Sequence, residues 1–200
     1  MRFRHIATLS VLSFTLARAA AAATLAEEID EIHRLDGQLA AHGDPALAGR
    51  AARLKEAAIA HAIVEYRIDI KGVASGVHYS PHGNMRERDG VTLVDGDGTV
   101  RVQVGDAGFR SAGCLGSTIA HEVEVHVDRQ IAKGVRDPAG DEQGVAMHEI
   151  EAYDHELASQ ARFGLDEDEL RLVRQRRAAF YRTLQYENRR RVDEGNYVKW

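Results

Sequence analysis

The sequence is short of cysteine: among 200 residues only Cys114 carries a thiol, so no disulfide can close within the chain. Cys114 reads as a small side chain ahead of a helix rather than as a reactive group. Proline is equally scarce, three against 18 glycines, and the loops are expected to be flexible. There is no surplus of positive charge. The formal net charge is −5, which argues against nucleic acid as the main partner. The apolar stretch Ile6 to Leu16 falls short of the ~20 residues that span a bilayer, so no stable membrane insertion is expected. No internal repeat or low-complexity segment occurs beyond an alanine tract near the N-terminus.

That tract belongs to an expected secretory signal over residues 1–23. Arg2 and Arg4 give a positive start, Ile6 to Leu16 the apolar region, and Ala17 to Ala23 small residues for cleavage. Residues 24–200 are then one domain, long enough to bury a core, and periplasmic or secreted. Leu25, Ile29, Ile32, Leu35 and Leu39 form a helical stripe, with acidic residues in the first turns and Gly43 as its stop. Asp44-Pro45 opens a second helix, expected to run to about Val64. Tyr66, Ile68 and Ile70 then alternate with charged residues, which predicts a strand. Val91 to Val94 and Val100 to Val104 predict a hairpin around Asp95-Gly96-Asp97-Gly98. The loop from Gly76 to Gly90 holds His78 and His82, read as surface residues because no carboxylate or cysteine completes a ligand set there. Two further helices are expected, Asp141 to Phe163 and Asp166 to about Arg191. The closing Arg189-Arg190-Arg191 suits a solvated helix end, where the dipole favours cations, better than a nucleic-acid patch.

Chemistry is concentrated in Ser117-Thr118-Ile119-Ala120-His121-Glu122-Val123-Glu124-Val125-His126. Ser117 or Thr118 can cap a helix start, and Gly134 can close its far end. A helix bearing His-Glu and then a second His presents a zinc ion and a general base from one rigid element. Here the histidines are five apart, so a regular helix would point them about 140° away from each other. A π-type bulge would return His121 and His126 to one face, and such bulges are frequent at functional sites.

This HExxxH spacing resembles the dipeptidyl-peptidase III family of zinc peptidases. The run from Leu115 to Val127, followed by Glu149-Ile150-Glu151-Ala152-Tyr153, is also similar to zincin-type domains at the C-terminal ends of bacterial Rhs-type polymorphic toxins. A third ligand is needed, and facing selects it. Ala146, Ile150, Tyr153, Leu157 and Ala161 define an apolar stripe with Glu149 at its border and Glu151 and His155 on the solvent side. A carboxylate at the core edge needs a partner to offset its desolvation, so Glu149 is preferred over Glu151. The resemblance implies the same choice, because that family takes a glutamate ligand from a Glu-x-x-Ala motif. The family places an acidic residue after the alanine. Tyr153 stands there, which leaves Glu124 or Asp154 to hydrogen-bond a ligand histidine.

On this reading His121, His126 and Glu149 hold Zn2+, and Glu122 is the catalytic base. Zinc with three protein ligands keeps a fourth position for water and lowers that water's pKa towards ~7. Two other readings stand beside it. Glu122–His126 and Glu151–His155 are i,i+4 pairs that could be plain intrahelical contacts or, facing each other, a two-metal carboxylate site, though ferritin-like sites space these ligands one residue closer. A non-catalytic zincin-like scaffold binding a protein partner is the third. The expected fold is α+β: N-terminal helices, a small mostly antiparallel sheet, the motif helix and two C-terminal helices, the order of a minimal zincin. The expected activity is hydrolysis of a peptide or protein substrate by a zinc-dependent peptidase. Toxin-like action, with an inhibitor or immunity protein as partner, follows from the second resemblance alone.

Overall fold

A computed structural model describes residues 23–81, 85, 88–134 and 141–197; all but the last residue of the expected signal segment, and His82, lie outside them. Local signals set the helices. Helix α1 (Leu25–His42) begins in a capping box, Thr24 Oγ1 accepting from Glu27 N while Glu27 accepts from Thr24 N, and ends where Gly43 turns left-handed at φ 64°. Helix α2 (Pro45–Glu65) starts on the Asp44 cap with proline at its first position. The two pack side by side, burying Leu25, Ile29 and Ile32 against Ala58, Ile59 and Ala62.

The expected strand at Tyr66–Ile70 does not form. Arg67 adopts φ 53° directly after α2, so the chain turns, and Ile68 and Ile70 drop into the core from a loop. The sheet is built instead from β1 (Val77–Tyr79), β2 (Gly90–Val94) and β3 (Val100–Val104), in the order β1-β3-β2. Strands β2 and β3 are the expected hairpin, antiparallel from Gly90↔Val104 to Val94↔Val100, whereas β1 pairs parallel with β3. The sheet is therefore small and mixed, with β2 at an edge that no other described strand pairs.

A short 3-10 turn (Asp106–Phe109) leads into helix α3 (Ala112–Ala120). Its cap is Ser111, whose Oγ accepts from Cys114 N at 2.9 Å, and not Ser117 or Thr118, which are buried inside the helix. Gly116 lets this helix lie against Tyr66, where a Cβ would stand 2.2 Å from the ring. Without a break the chain continues as a π-helix, His121–Gln130, and closes in a 3-10 turn at Ile131–Lys133 followed by Gly134.

Each of the two expected C-terminal helices is interrupted. α4 (Glu142–Ala158) gives way at Ser159 to α5 (Gln160–Phe163), and α6 (Glu167–Thr183) stops before Leu184 and Gln185, which lead into α7 (Tyr186–Asp193). The main core lies between α1, α2, one face of the sheet, and α3 with the π-helix. A smaller cluster joins Ala146, Met147 and Ile150 of α4 to Leu184 and Val192. Among the described residues the fold is α+β, with seven α-helices and one three-stranded sheet, and no helix is long and apolar enough to cross a membrane.

Candidate metal centre

The five-residue spacing of the histidines is resolved by the helix type. In a π-helix N–H bonds to the carbonyl five residues back, as Ile131 N does to His126 O, so residues five apart stack on one face. The expectation was a single bulge; the structure carries ten residues, His121–Gln130, in this form. The rings of His121 and His126 meet edge to face with centroids 5.0 Å apart.

Glu149 of α4 reaches both. Its Oε2 is 3.5 Å from His121 Nε2 and its Oε1 is 3.6 Å from His126 Nε2. One ligand atom from each of the three lies within 4.8 Å of the others. Ligand atoms tetrahedrally arranged at zinc bond lengths stand ~3.3 Å apart, so the donors fit a single ion with small side-chain adjustments. Electrostatics favour a cation there. Burial opposes charge on His121, yet Glu149 and Glu156 outweigh it and push its pKa well above the usual value. Burial likewise opposes ionisation of Glu149, but His121, His126 and Arg88 hold its pKa below the usual value.

Behind His121 stands a residue that the sequence reading did not single out. Glu156 Oε1 is 2.7 Å from His121 Nδ1, and its Oε2 accepts from Ser117 Oγ at 2.7 Å. A carboxylate only accepts, so Nδ1 carries the hydrogen and Nε2 is left to face the centre. The available signal was spacing: Glu149, Tyr153 and Glu156 recur at four and three residues on one side of α4. Glu124 and Asp154, the expected partners, are engaged elsewhere. Glu124 pairs with Arg162 and His155, and Asp154 with Arg177 and Tyr197.

Glu122, only 5% exposed, lines a cavity of about 910 Å³ together with the three candidate ligands. Thr92 of the edge strand donates its hydroxyl to Glu122 Oε2 at 2.7 Å. Gly90 makes the approach feasible, since a Cβ there would sit 2.9 Å from Glu122 Cγ. Tyr153 lies edge-on to His121 with centroids 5.0 Å apart and stacks on Phe180 at 6.0 Å. Burial and the carboxylates of Glu149, Glu156 and Glu122 push its phenol far up, so it stays protonated.

The remaining candidates are not at this centre. His155 was expected on the solvent side, but its side chain is 13% exposed, because α4 is sandwiched between the π-helix and α6 and so buries more than one stripe. Both its ring nitrogens are engaged, Nε2 with Glu124 and Nδ1 with Arg129, so no second centre is built from Glu151 and His155. His78 bonds the Ser75 carbonyl. Cys114 is buried, and that burial pushes its thiol up to about 11. No family model, curated protein or solved structure matches the chain.

Proposed function

We propose that the protein is a secreted or periplasmic zinc-dependent peptidase that works in the manner of a zincin. The observation carrying this reading is the convergence of His121, His126 and Glu149 through π-helical stacking, with Glu122 beside them in the same cavity. Two imidazoles and one carboxylate are a donor set of catalytic rather than structural zinc sites. A zinc ion held there supplies Lewis-acid activation of a water and of the scissile carbonyl.

The chain's own residues do the rest. The open edge of β2 receives an extended substrate by strand addition, and Thr92 fixes the Glu122 carboxylate from that edge. Glu122 takes a proton from the attacking water and passes it to the leaving nitrogen. The carbon–nitrogen bond breaks, the hydroxyl stays on the acyl carbon and the amine leaves protonated. Tyr153, held as a neutral phenol, is a hydrogen-bond donor in the cavity for the oxygen that becomes negative. Glu156 keeps His121 in the required tautomer.

The test is metal content by elemental mass spectrometry, followed by a peptide digest. About one zinc per chain, retained in Glu122→Gln while hydrolysis is lost, is the expected result. A chain that binds no metal and folds equally well as His126→Ala would instead be a binding module.

A further inference from the structure

The cleft differs along the length of strand β2. Asp89 O accepts from Gly105 N, and Asp95 N donates to Thr99 O, at the two ends of the register that pairs Gly90 with Val104 and Val94 with Val100. Backbone pairing alternates along an antiparallel ladder. Asp89, Val91, Leu93 and Asp95 therefore turn their N–H and C=O groups to β3, while Gly90, Thr92 and Val94 turn theirs to the open edge. A peptide laid on that edge passes Glu122 between Gly90, which abuts it, and Thr92, which hydrogen-bonds it.

The two ends of the edge present different chemistry. At the Val94 end the lining carries Val94, 45% exposed, beside Asp95, whose carboxylate accepts two hydrogen bonds from Arg101. At the Gly90 end lie Arg88, exposed, and Asp89, mostly buried. Asp89 accepts two hydrogen bonds from Arg110, at 2.9 and 3.1 Å, and also pairs with Arg176. One carboxylate thus faces two guanidiniums, while Arg88, the residue before it in the chain, acts on Glu149; Arg88 and Arg176 both line the cavity. Arg176 shares a face of α6 with Phe180, four residues on, the ring that stacks on Tyr153. Close to the candidate centre the sign reverses, with Glu122, Glu149 and Glu156 lining the same cavity.

These charges orient the substrate. A peptide's carboxyl end belongs at the basic Gly90 end and its amino end towards Val94. That direction is antiparallel to β2, the more stable of the two pairings. Arg88 precedes Gly90 by two residues, past a bend at Asp89, and so lies just beyond the end of the edge nearest Glu122.

We infer that Arg88 and Arg176 form a carboxylate subsite, engaging a carboxylate one or two residues C-terminal to the scissile bond. The inference rests on the peptidase reading and narrows it. The carboxylate is either the free C-terminus of a short peptide, which makes the activity a trimming one, or an aspartate or glutamate side chain within a longer one.

The test uses the zinc-loaded full chain and N-acetylated hexapeptides randomised at their first five positions with aspartate and glutamate left out. They are offered as the free acid, as the C-terminal amide, and as the amide with glutamate in last place, and products are read by mass spectrometry. A charge-assisted contact of this kind predicts cleavage at least about tenfold faster for a carboxylate-bearing form than for the plain amide. The acid and glutamate arms distinguish the two sources. Arg88→Gln brings the ratio towards one. Calorimetry of Glu122→Gln with an N-acetyl dipeptide, acid against amide, reads the subsite without hydrolysis, and adding Arg88→Gln removes any preference. Acid-selective binding with no hydrolysis in any arm keeps the subsite and sinks the peptidase. Equal treatment of acid and amide in both assays overturns the subsite, and hydrolysis seen alongside leaves the peptidase standing.

Discussion

The π-helix and α4 meet in two carboxylate–histidine clusters that use the same residue types and behave differently. On one side His121 gives Nδ1 to Glu156 and turns Nε2 towards Glu149 and His126. On the other, His155 gives Nε2 to Glu124, and Arg162 closes the cluster with hydrogen bonds to both Glu124 oxygens at 2.8 and 2.9 Å. Arg162 also grips the Tyr66 carbonyl, tying α5 to the end of α2. Where an arginine supplies the positive charge, a histidine–glutamate pair becomes a fastening. Where no arginine hydrogen-bonds the cluster, the donors converge on a cavity as a group that could hold a cation. The difference lies in the third party, not in the pair.

Metal content separates the clusters most sharply. His126→Ala is expected to lose essentially all bound zinc, and His155→Ala to keep it, both read by elemental mass spectrometry. Next in size is Glu122→Gln, which on the peptidase reading is expected to retain the metal and to lose about 100- to 10,000-fold in hydrolysis, the usual contribution of a positioned general base. Glu156→Gln probes the shell behind His121. It is expected to weaken zinc binding by about 10- to 100-fold, measured by competition with a chelator, whereas Glu124→Gln leaves zinc affinity unchanged.

Much of this division could be read from the chain, and the reasons for the exceptions are physical. The histidine spacing pointed to a π-type distortion if both rings were to share one site, because that register brings residues five apart onto one face. Its length, His121–Gln130, was hidden, since no residue type marks a π-helix. Glu149 was selected by its position at the border of the α4 stripe. Glu156 was missed because a buried polar residue resembles a stripe violation until its partner Ser117 is known. Thr92 and Gly90 reach Glu122 across the sheet edge, a contact no local pattern encodes. The false strand at Tyr66–Ile70 shows the opposite failure. Alternating apolar residues satisfy a loop that dips into the core as well as they satisfy a strand, and the left-handed Arg67 decided the matter.

The fastening cluster carries the smallest and most specific expectation. Burial alone would raise the pKa of Glu124, but His155 and Arg162 outweigh it and lower it from 4.5 to about 2. Its folded-state pKa is therefore the depressed one. The stability it contributes is fully present above the unfolded value and is lost as pH falls through the folded one. That contribution is about 3 kcal/mol at neutral pH, for a side chain 20% exposed. Glu124→Gln should be less stable than wild type by about this amount in urea unfolding at pH 7. The gap should narrow steadily as pH drops from 4.5 towards 2, because wild type loses the advantage as its unfolded chain takes up the proton. A gap that stayed constant over that range would mean that the glutamine disturbs packing, and that Arg162 rather than the Glu124 charge holds α5 in place.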